Sequence, residues 1–434
     1  MKARLYIFII VFLLLGRAGV GYSQDYVRLG ERSIMGTARY VGMCGAMTAI
    51  GGDPSAVYDN PAGLGLYRRS EVLLSLDLML DRTRQLELGT KGKRDFFIPT
   101  QASLVVNLNN HNLMFSYHRM QSFARTLSAG GTNGASLGAL LASINVHSIP
   151  YSTERFNALN VMTLQESGYL NEYAFTWGMR VSHQFYVGLG FHIQSYQYSS
   201  DAAYYEQFAQ MADTIPYDIE NSTAVLQTGA GCNLSLGLIY RPISWLRLGL
   251  GIQTPSVGSL STYTSGQLSA QTDTLLFAPI IDTENKTRKF HMPLHLSTSA
   301  ALQIGAYGML AFQYDYWLQQ YGADRHSLRA GIEVIPVLGM YINAGYAFES
   351  SFQRDVQPRE IDPKFERQDT YSVFPRWSQY VSAAIGYRGA DMIVQAAYQY
   401  RWQHVQMFPL ETAEPYAMHT DTHRIVLTIG WHHN

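Results

Sequence analysis

From about residue 70 to the end of the chain, apolar side chains return at every second position, the period of a strand rather than of a helix. Between Glu71 and Asp81, Val72, Leu74, Leu76, Leu78 and Leu80 fall on one face, and Glu71, Ser75, Asp77 and Asp81 fall on the other with Leu73 and Met79. Met392, Val394, Ala396, Tyr398, Tyr400 and Trp402 alternate likewise with Gln395, Gln399, Arg401 and Gln403. Leu310, Phe312, Tyr314, Tyr316 and Leu318 repeat the pattern, and Ile425, Leu427, Ile429 and Trp431 close the chain on it. Fourteen such segments are predicted, at 70–81, 100–108, 112–123, 171–182, 184–198, 223–240, 245–256, 290–304, 307–319, 325–335, 338–348, 377–388, 390–404 and 422–432. Most exceed the usual length of about five or six residues and suit tilted strands that cross a bilayer.

The connections sort into two kinds. Short turns fall at Asn109-Asn110-His111, His183, Arg241 to Ser244, Gly305-Ala306, Pro336-Val337 and Gly389. The connections between them are mostly long, roughly 17 to 47 residues, with one short exception before Arg325. Alternation of tight turns with long loops is the habit of an outer-membrane barrel, and a soluble sandwich has no reason for it. The expected fold is therefore all-β, a transmembrane antiparallel β-barrel of about 14 strands. An even strand count returns both termini to the periplasm.

Composition sharpens this reading. Only 15% of the 434 residues are charged, against about 25% in an average soluble chain. Aromatics reach 13%, led by 30 Tyr, so the chain is not disordered. A lipid-facing exterior explains the missing charge, and aromatic girdles explain the tyrosines. The net charge of −1 leaves no basic surface for nucleic acid. At the N-terminus, Lys2 and Arg4 precede an apolar run from Leu5 to Leu15, followed by small residues ending at Ser23. This reads as a signal peptide over 1–23, too short to anchor in a bilayer. Cys44 and Cys232, without metal spacing, are expected to be small packing residues rather than a bridge.

Residues 24–69 obey a different rule. Small residues dominate, alternation fails, and Asp53-Pro54-Ser55 has the form of a helix N-cap followed by Pro at the first helical position. Asn60-Pro61 favours a turn or a second such start. A stretch of about 45 residues so rich in Gly and Ala packs poorly alone and well inside a walled space. The run Gly42-Met43-Cys44-Gly45-Ala46, then Asp53-Pro54-Ser55-Ala56, then Asn60-Pro61-Ala62-Gly63-Leu64 resembles the N-terminal hatch of the FadL/TodX family of outer-membrane transporters. Thr37-Ala38-Arg39-Tyr40 and Gly65-Leu66-Tyr67-Arg68 look like its Bacteroidetes branch, and generic strand phrases extend the likeness over roughly residues 35–434.

The resemblance implies a fourteen-stranded barrel over 70–434 with a hatch, or plug, over 24–69 inside the lumen. It implies passive uptake of hydrophobic compounds, long-chain fatty acids or aromatic hydrocarbons, across the outer membrane of a Gram-negative bacterium. The expected hatch and gating residues are Gly42, Gly45, Asp53, Pro54, Asn60, Pro61 and Ala62, acting by packing and movement. Expected partners are hydrophobic small molecules, outer-membrane lipid and lipopolysaccharide, and the barrel-assembly machinery, with the protein a monomer. No enzyme activity, catalytic residue, cofactor or metal is expected. Family members release ligand sideways at a kink in the third strand, which here lacks Gly and Pro between Asn112 and Phe123.

The connection 124–170 carries Leu137, Leu140, Leu141 and Ile144 at helical spacing, then Phe156, Leu159, Met162 and Leu164. That loop is a candidate for ligand capture, and a helix that merely caps the barrel mouth explains the stripe equally well. Gly134-Ala135-Ser136-Leu137-Gly138 fits a nucleophile-elbow pattern but lies in loop sequence, outside the strand-to-helix turn the chemistry needs. Two other functions compete with hydrophobic transport: a non-transporting barrel acting as a scaffold or shuttle in protein secretion, and a water-filled porin-like channel. A continuous apolar pocket lined by lumen-facing side chains and abutting residues 40–62 favours transport, a sealed polar lumen favours the scaffold, and a hatch argues against the porin.

Overall fold

The computed structural model describes Leu29 and residues 32–85, 91–131, 158–208, 217–272, 280–318, 324–350, 372–408 and 416–433. Seventeen ladder segments form a single antiparallel sheet. Three strands are built in two parts, so the sheet has fourteen strands. These are β1 (Ser70–Gln85), β2 (Lys91–Leu108), β3 (His111–Ser122 and Arg125–Gly131), β4 (Ala158–Arg180), β5 (Phe185–Phe208), β6 (Tyr217–Ile243) and β7 (Leu246–Gln253 and Val257–Thr272). They continue with β8 (Ile280–Phe290 and Leu294–Ile304), β9 (Gly308–Leu318), β10 (Arg325–Val337), β11 (Met340–Ser350), β12 (Ser372–Arg388), β13 (Met392–Phe408) and β14 (Tyr416–His433). β1 pairs with β14 from Ser70↔His433 to Gln85↔Met418, which closes the barrel. Closure satisfies each strand's backbone within the sheet and abolishes the edges that would fail in lipid.

The alternation read from sequence sorts outside from inside. On β1, Val72, Leu74 and Leu78 are exposed, while Glu71, Ser75 and Asp77 are buried in the lumen. The outward apolar row from Val72 to Leu80 spans about 26 Å at about 3.3 Å per residue, comparable to the apolar band of membrane barrels. Trp245, Tyr307, Tyr387 and Trp431 are exposed at the turn end of this band. Near the opposite end, the Tyr314 and Tyr398 hydroxyls each lie 2.7 Å from Nδ1 of His326 and His423. We read this exterior as membrane-spanning, with strands as the spanning elements. Among the described residues no helix is long and apolar enough to cross a membrane.

The fourteen-strand count holds, but the strands run further outward than the sequence predicts. β5 continues to Phe208, β6 begins at Tyr217, and the stretch taken as connection between 257 and 289 carries the outer halves of β7 and β8. Pro255 and Pro293 each lie in a short break in their strand, and the break interrupts the alternation there. Beyond the apolar band the outward side chains become polar, as at Gln197, Ser199 and Asp201, and the contrast between faces fades. Leu159, Met162 and Leu164, read at helical spacing, belong to strand β4, with Met162 and Leu164 turned inward. Leu137, Leu140, Leu141 and Ile144 lie outside the described residues, as does the signal peptide.

The two cysteines are both free. Cys44 is buried, and desolvation pushes its thiol up to about 12, against a hydrogen bond to Ser382 that acts the other way. Cys232 corrects the sequence reading: it lies on the outward face of β6 and packs against no interior. A membrane-permeant maleimide added to the folded protein is therefore expected to modify Cys232 and spare Cys44, read by mass spectrometry. Equal labelling of both would show that residues around Cys44 are not enclosed.

Candidate functional site

Residues 32–69 form no strand. Helix α1 (Ala38–Gly42) is capped by Thr37, whose Oγ1 accepts from the Tyr40 N–H at 3.2 Å. Helix α2 (Pro54–Asp59) is capped by Asp53, which accepts from the Ser55 N–H at 2.9 Å and from Thr37 Oγ1 at 2.8 Å. One carboxylate thus ties the starts of both helices together. A 3-10 turn (Pro61–Leu66) follows, capped by Asn60, whose Oδ1 accepts from the Ala62 N–H at 3.1 Å. Asp-Pro and Asn-Pro act alike here, with an Asx cap and a Pro that needs no donor at the first position.

This segment touches every strand of the barrel, so it lies inside the lumen. Met35 packs on Met79 of β1, Ser55 bonds Gln101 of β2, and the Asn112 amide of β3 donates to Leu64 O. On the opposite wall the Thr48 N–H donates to Gln313 of β9, its hydroxyl bonds Ser297 of β8, and Ser382 of β12 donates to Gly42 O. The Ala38 N–H reaches Thr428 of β14 at 2.8 Å, and the Arg39 N–H reaches Gln395 of β13. The remaining strands meet it backbone to backbone through glycines. A Cβ added at Gly188 of β5 would fall 2.2 Å from the Pro61 carbonyl carbon, and one at Gly251 of β7 would fall 1.9 Å from Asp59 O. Gly178 of β4, Gly237 of β6 and Gly345 of β11 make room in the same way for Leu64, Asn60 and Met43.

The expected gating residues all fall within this packing. Gly42 lies against Ala384, with no room for a side chain, and Gly45 (φ +76°) turns the chain between Arg329 and Tyr40. Asn60, fully buried, donates from its amide to Thr48 O at 3.0 Å and to Leu238 O of β6 at 3.1 Å, joining two parts of the segment and the wall. Pro54, Pro61 and Ala62 are buried beside them. Charge adds to the attachment on β10. Arg39 forms a two-pronged pair with Glu333 at 2.7 and 2.8 Å. Arg329 lies 3.6 Å from Asp59 and 3.1 Å from Asp315 of β9, and donates to the Tyr40 hydroxyl. Such buried pairs fix a docking position more than they add stability.

A second polar cluster spans β4 to β6. His192 Nδ1 lies 2.9 Å from Glu172 and its Nε2 lies 2.7 Å from the Ser235 hydroxyl, while Gln194 donates to Glu172. The order is that of an acyl-transfer triad. Ser235, however, sits mid-strand between Gly190 and Gln253, so its N–H belongs to the ladder and forms no oxyanion hole. The cluster satisfies buried polar groups.

Outward of the segment the lumen changes character. Phe123, Tyr196, Tyr198 and Phe290 face one another, Phe123 edge-on to both tyrosines with ring centres 5.6 Å away. Met120 and Met292, with Leu170 and Leu260, complete an apolar cage. Tyr196 and Tyr198 direct their hydroxyls to Gln227 and Glu166. Gly231 of β6 leaves space for the Phe290 ring. Beside this cluster, and sharing Phe123, is a cavity of about 60 Å³ whose lining is largely polar and includes Asp81, Arg125, Glu166 and Arg401. An apolar cavity that takes up benzene measures about 150 Å³.

Beside this cavity the ladder between β2 and β3 is incomplete. β2 and β3 pair only from Leu108↔His111 to Gln101↔His118, although β2 continues outward to Lys91 along β1. β3 bulges at Met120, breaks at Phe123-Ala124 and resumes as Arg125–Gly131 along β4. The missing Gly in β3 is supplied by its neighbour: Gly168 of β4 (φ +124°) accepts from the Phe123 N–H at 3.1 Å, and a Cβ there would fall 2.1 Å from Gln197 O. Pro99 of β2 is tolerated because that strand has only one neighbour there.

None of the seven expected gating residues lines the cage or the cavity. The cage residues and the wall glycines were missed in the sequence. The glycines left a usable signal, since each interrupts a row of inward side chains. The cage aromatics left none, because they look like any girdle.

A closed, fourteen-stranded barrel whose lumen is occupied by residues 32–69, with a buried apolar cluster outward of them, is the architecture these observations define. The same fold is found in a Pseudomonas aeruginosa FadL homologue, 11% identical with a TM-score of 0.63 over 93% of this chain and 99% of that one. The Ralstonia pickettii toluene transporter TbuX is 14% identical with a TM-score of 0.56, over 92% and 99% of the two chains. The P. putida toluene transporter TodX is 13% identical with a TM-score of 0.54, over 94% and 99%. No family profile matches the sequence, and no curated protein sequence does. The chain therefore has the fold of the FadL/TodX transporters.

Gly251→Leu is expected to prevent residues 59–60 from docking while sparing the ladder, and so to leave the lumen open. Planar-bilayer recordings test this: Gly251→Leu should conduct steadily where the parent protein does not. Asn60→Ala, which strands two buried carbonyls at about 1–3 kcal/mol each, should show faster amide exchange at residues 48–63. Unchanged exchange would mean that Asn60 holds nothing in place.

Proposed function

We propose that the protein is a member of the FadL/TodX family, residing in the outer membrane of a Gram-negative bacterium with both termini periplasmic. There it acts as a passive channel for hydrophobic compounds, long-chain fatty acids or aromatic hydrocarbons. The observation that carries this reading is the buried aromatic and methionine cluster in the lumen outward of residues 32–69. A scaffold has no use for such a cluster at the mouth, and a porin has no use for a segment that fills its pore. Residues 24–69 serve as the hatch. A ligand partitions from outside into the cage, whose burial of about 25 cal/mol per Å² drives capture. The stretch over which β2 and β3 do not pair is the exit into the bilayer in this reading, and it avoids the polar contacts below.

Capture and release need no bond chemistry, because the gradient of the solute supplies the direction. The hatch's contacts with the wall include hydrogen bonds and ion pairs that water can replace on movement. The cavity of the closed state is smaller than benzene requires, so passage demands displacement of protein atoms.

Uptake of labelled oleate and labelled toluene should be measured in cells lacking and carrying the protein, and carrying a Phe290→Asp variant that charges the cage. Uptake of either label should rise with the parent protein and fall to the background with Phe290→Asp. Equal uptake with and without the protein would sink the transport reading in favour of the scaffold.

A further inference from the structure

Arginines that face the barrel interior mostly find a carboxylate. Arg329 has Asp315 at 3.1 Å, Arg388 has Glu71 at 3.3 Å and Arg424 has Asp77 at 3.2 Å. Arg32, bonded to Gln253, sits in the attractive field of Glu172. Arg241 and Arg247 are placed differently. Arg241 follows Ile239 on the inward row of β6 beside the turn, and Arg247 begins the inward row of β7 just after it. Among the described residues neither has a carboxylate within 4.0 Å. The acceptors that Arg247 does reach are neutral: the Ile50 carbonyl of the docked segment at 3.4 Å and the Gln303 side chain at 3.2 Å. Its Nε–H is buried without a partner. The strongest charged influence on it is like-signed, because Arg241 repels it more than Glu333 attracts it. Charge taken out of water is ordinarily paired, so this arrangement lacks an anion.

We propose that Arg241 and Arg247 form a binding site for a small oxyanion, a phosphate or carboxylate group that enters from the turn end of the barrel. The site is independent of the transport reading, since it lies on the other side of the docked segment from the apolar cage. Two guanidinium groups on adjacent strands present forked N–H donors, and such forks match the oxygens of phosphate and carboxylate. A bound oxyanion answers the buried Nε–H and offsets the repulsion between the two arginines. It has little to displace. The bond from Arg247 to Ile50 is long and its acceptor is neutral, whereas a charge-assisted bond is about twice as strong. Arg241 is only partly buried, which leaves the anion a way in from solution. The Ile50 carbonyl gives the site a roof, so the anion lies between the underside of the docked segment and the wall.

The test uses the full chain, purified in an uncharged detergent, with folding of every variant checked by its heat-dependent migration on a gel. Inorganic phosphate and acetate are titrated separately by calorimetry at fixed ionic strength, which tells a tetrahedral from a planar ligand. Saturable binding of at least one of them is expected. Arg241→Gln and Arg247→Gln should each weaken it at least about tenfold, the scale of one charge-assisted bond. Arg247→Lys keeps the charge without the fork, and it should also bind more weakly. Arg69→Gln, which removes an exposed arginine of the same rim, should bind as the parent does. Arg241→Glu supplies the carboxylate from the chain itself. It should bind neither anion and should melt above the parent protein in anion-free buffer, as the parent does once phosphate or acetate is added. No saturable binding of either anion overturns the proposal. So does binding that survives in Arg241→Gln and Arg247→Gln, or that falls equally in Arg69→Gln, since either result means attraction to the rim as a whole.

Discussion

Everything in this protein depends on one constraint: a closed ladder of fourteen strands satisfies its own backbone but encloses more space than its inward side chains fill. The space is occupied by a segment that has no ladder of its own. Its polar groups must therefore find partners on the wall or within itself, and they do so through three Asx or Thr caps, a set of buried amides and the Arg39–Glu333 pair. The wall yields in return. Glycines at inward positions let strand backbone and segment backbone come within contact distance, which side chains would forbid. The fit is thus set by what is absent from the wall as much as by what the segment carries.

Above that contact the same wall serves the opposite purpose. Where the segment ends, inward positions become aromatic and sulfur-bearing, and the strands lose a neighbour at β2 and β3. A tightly registered floor of hydrogen bonds and glycine contacts thus lies beneath a layer of packed apolar side chains. The fold itself is kept at 11–14% identity among the compared structures.

Much of this was legible in the sequence, and the parts that were not share a cause. Alternation located all fourteen strands because one face met lipid and the other met polar groups. Where that contrast ends, as beyond Tyr198 on β5, the sequence could not tell strand from loop. The caps of residues 53–66 were legible because Asp53-Pro54 and Asn60-Pro61 carry their geometry locally. The cage was not, since Phe123, Tyr196 and Phe290 come from three strands and meet only after closure. The break in β3 was hidden for a related reason: its glycine, Gly168, lies on the neighbouring strand. A break caused across a ladder leaves no mark on the strand that breaks.

The reach of the N-terminal segment has a consequence for how the protein is made. Its partners include Thr428, 390 residues later in the chain, and the strand bearing Thr428 is the one that seals against β1. The segment emerges first and is enclosed last, so it must wait near the assembling sheet until the final strand arrives. Threading it afterwards through a finished ring would require breaking contacts on every side at once. Barrel closure and the seating of residues 32–69 are accordingly one event, and a defect in either is met first as a failure of assembly.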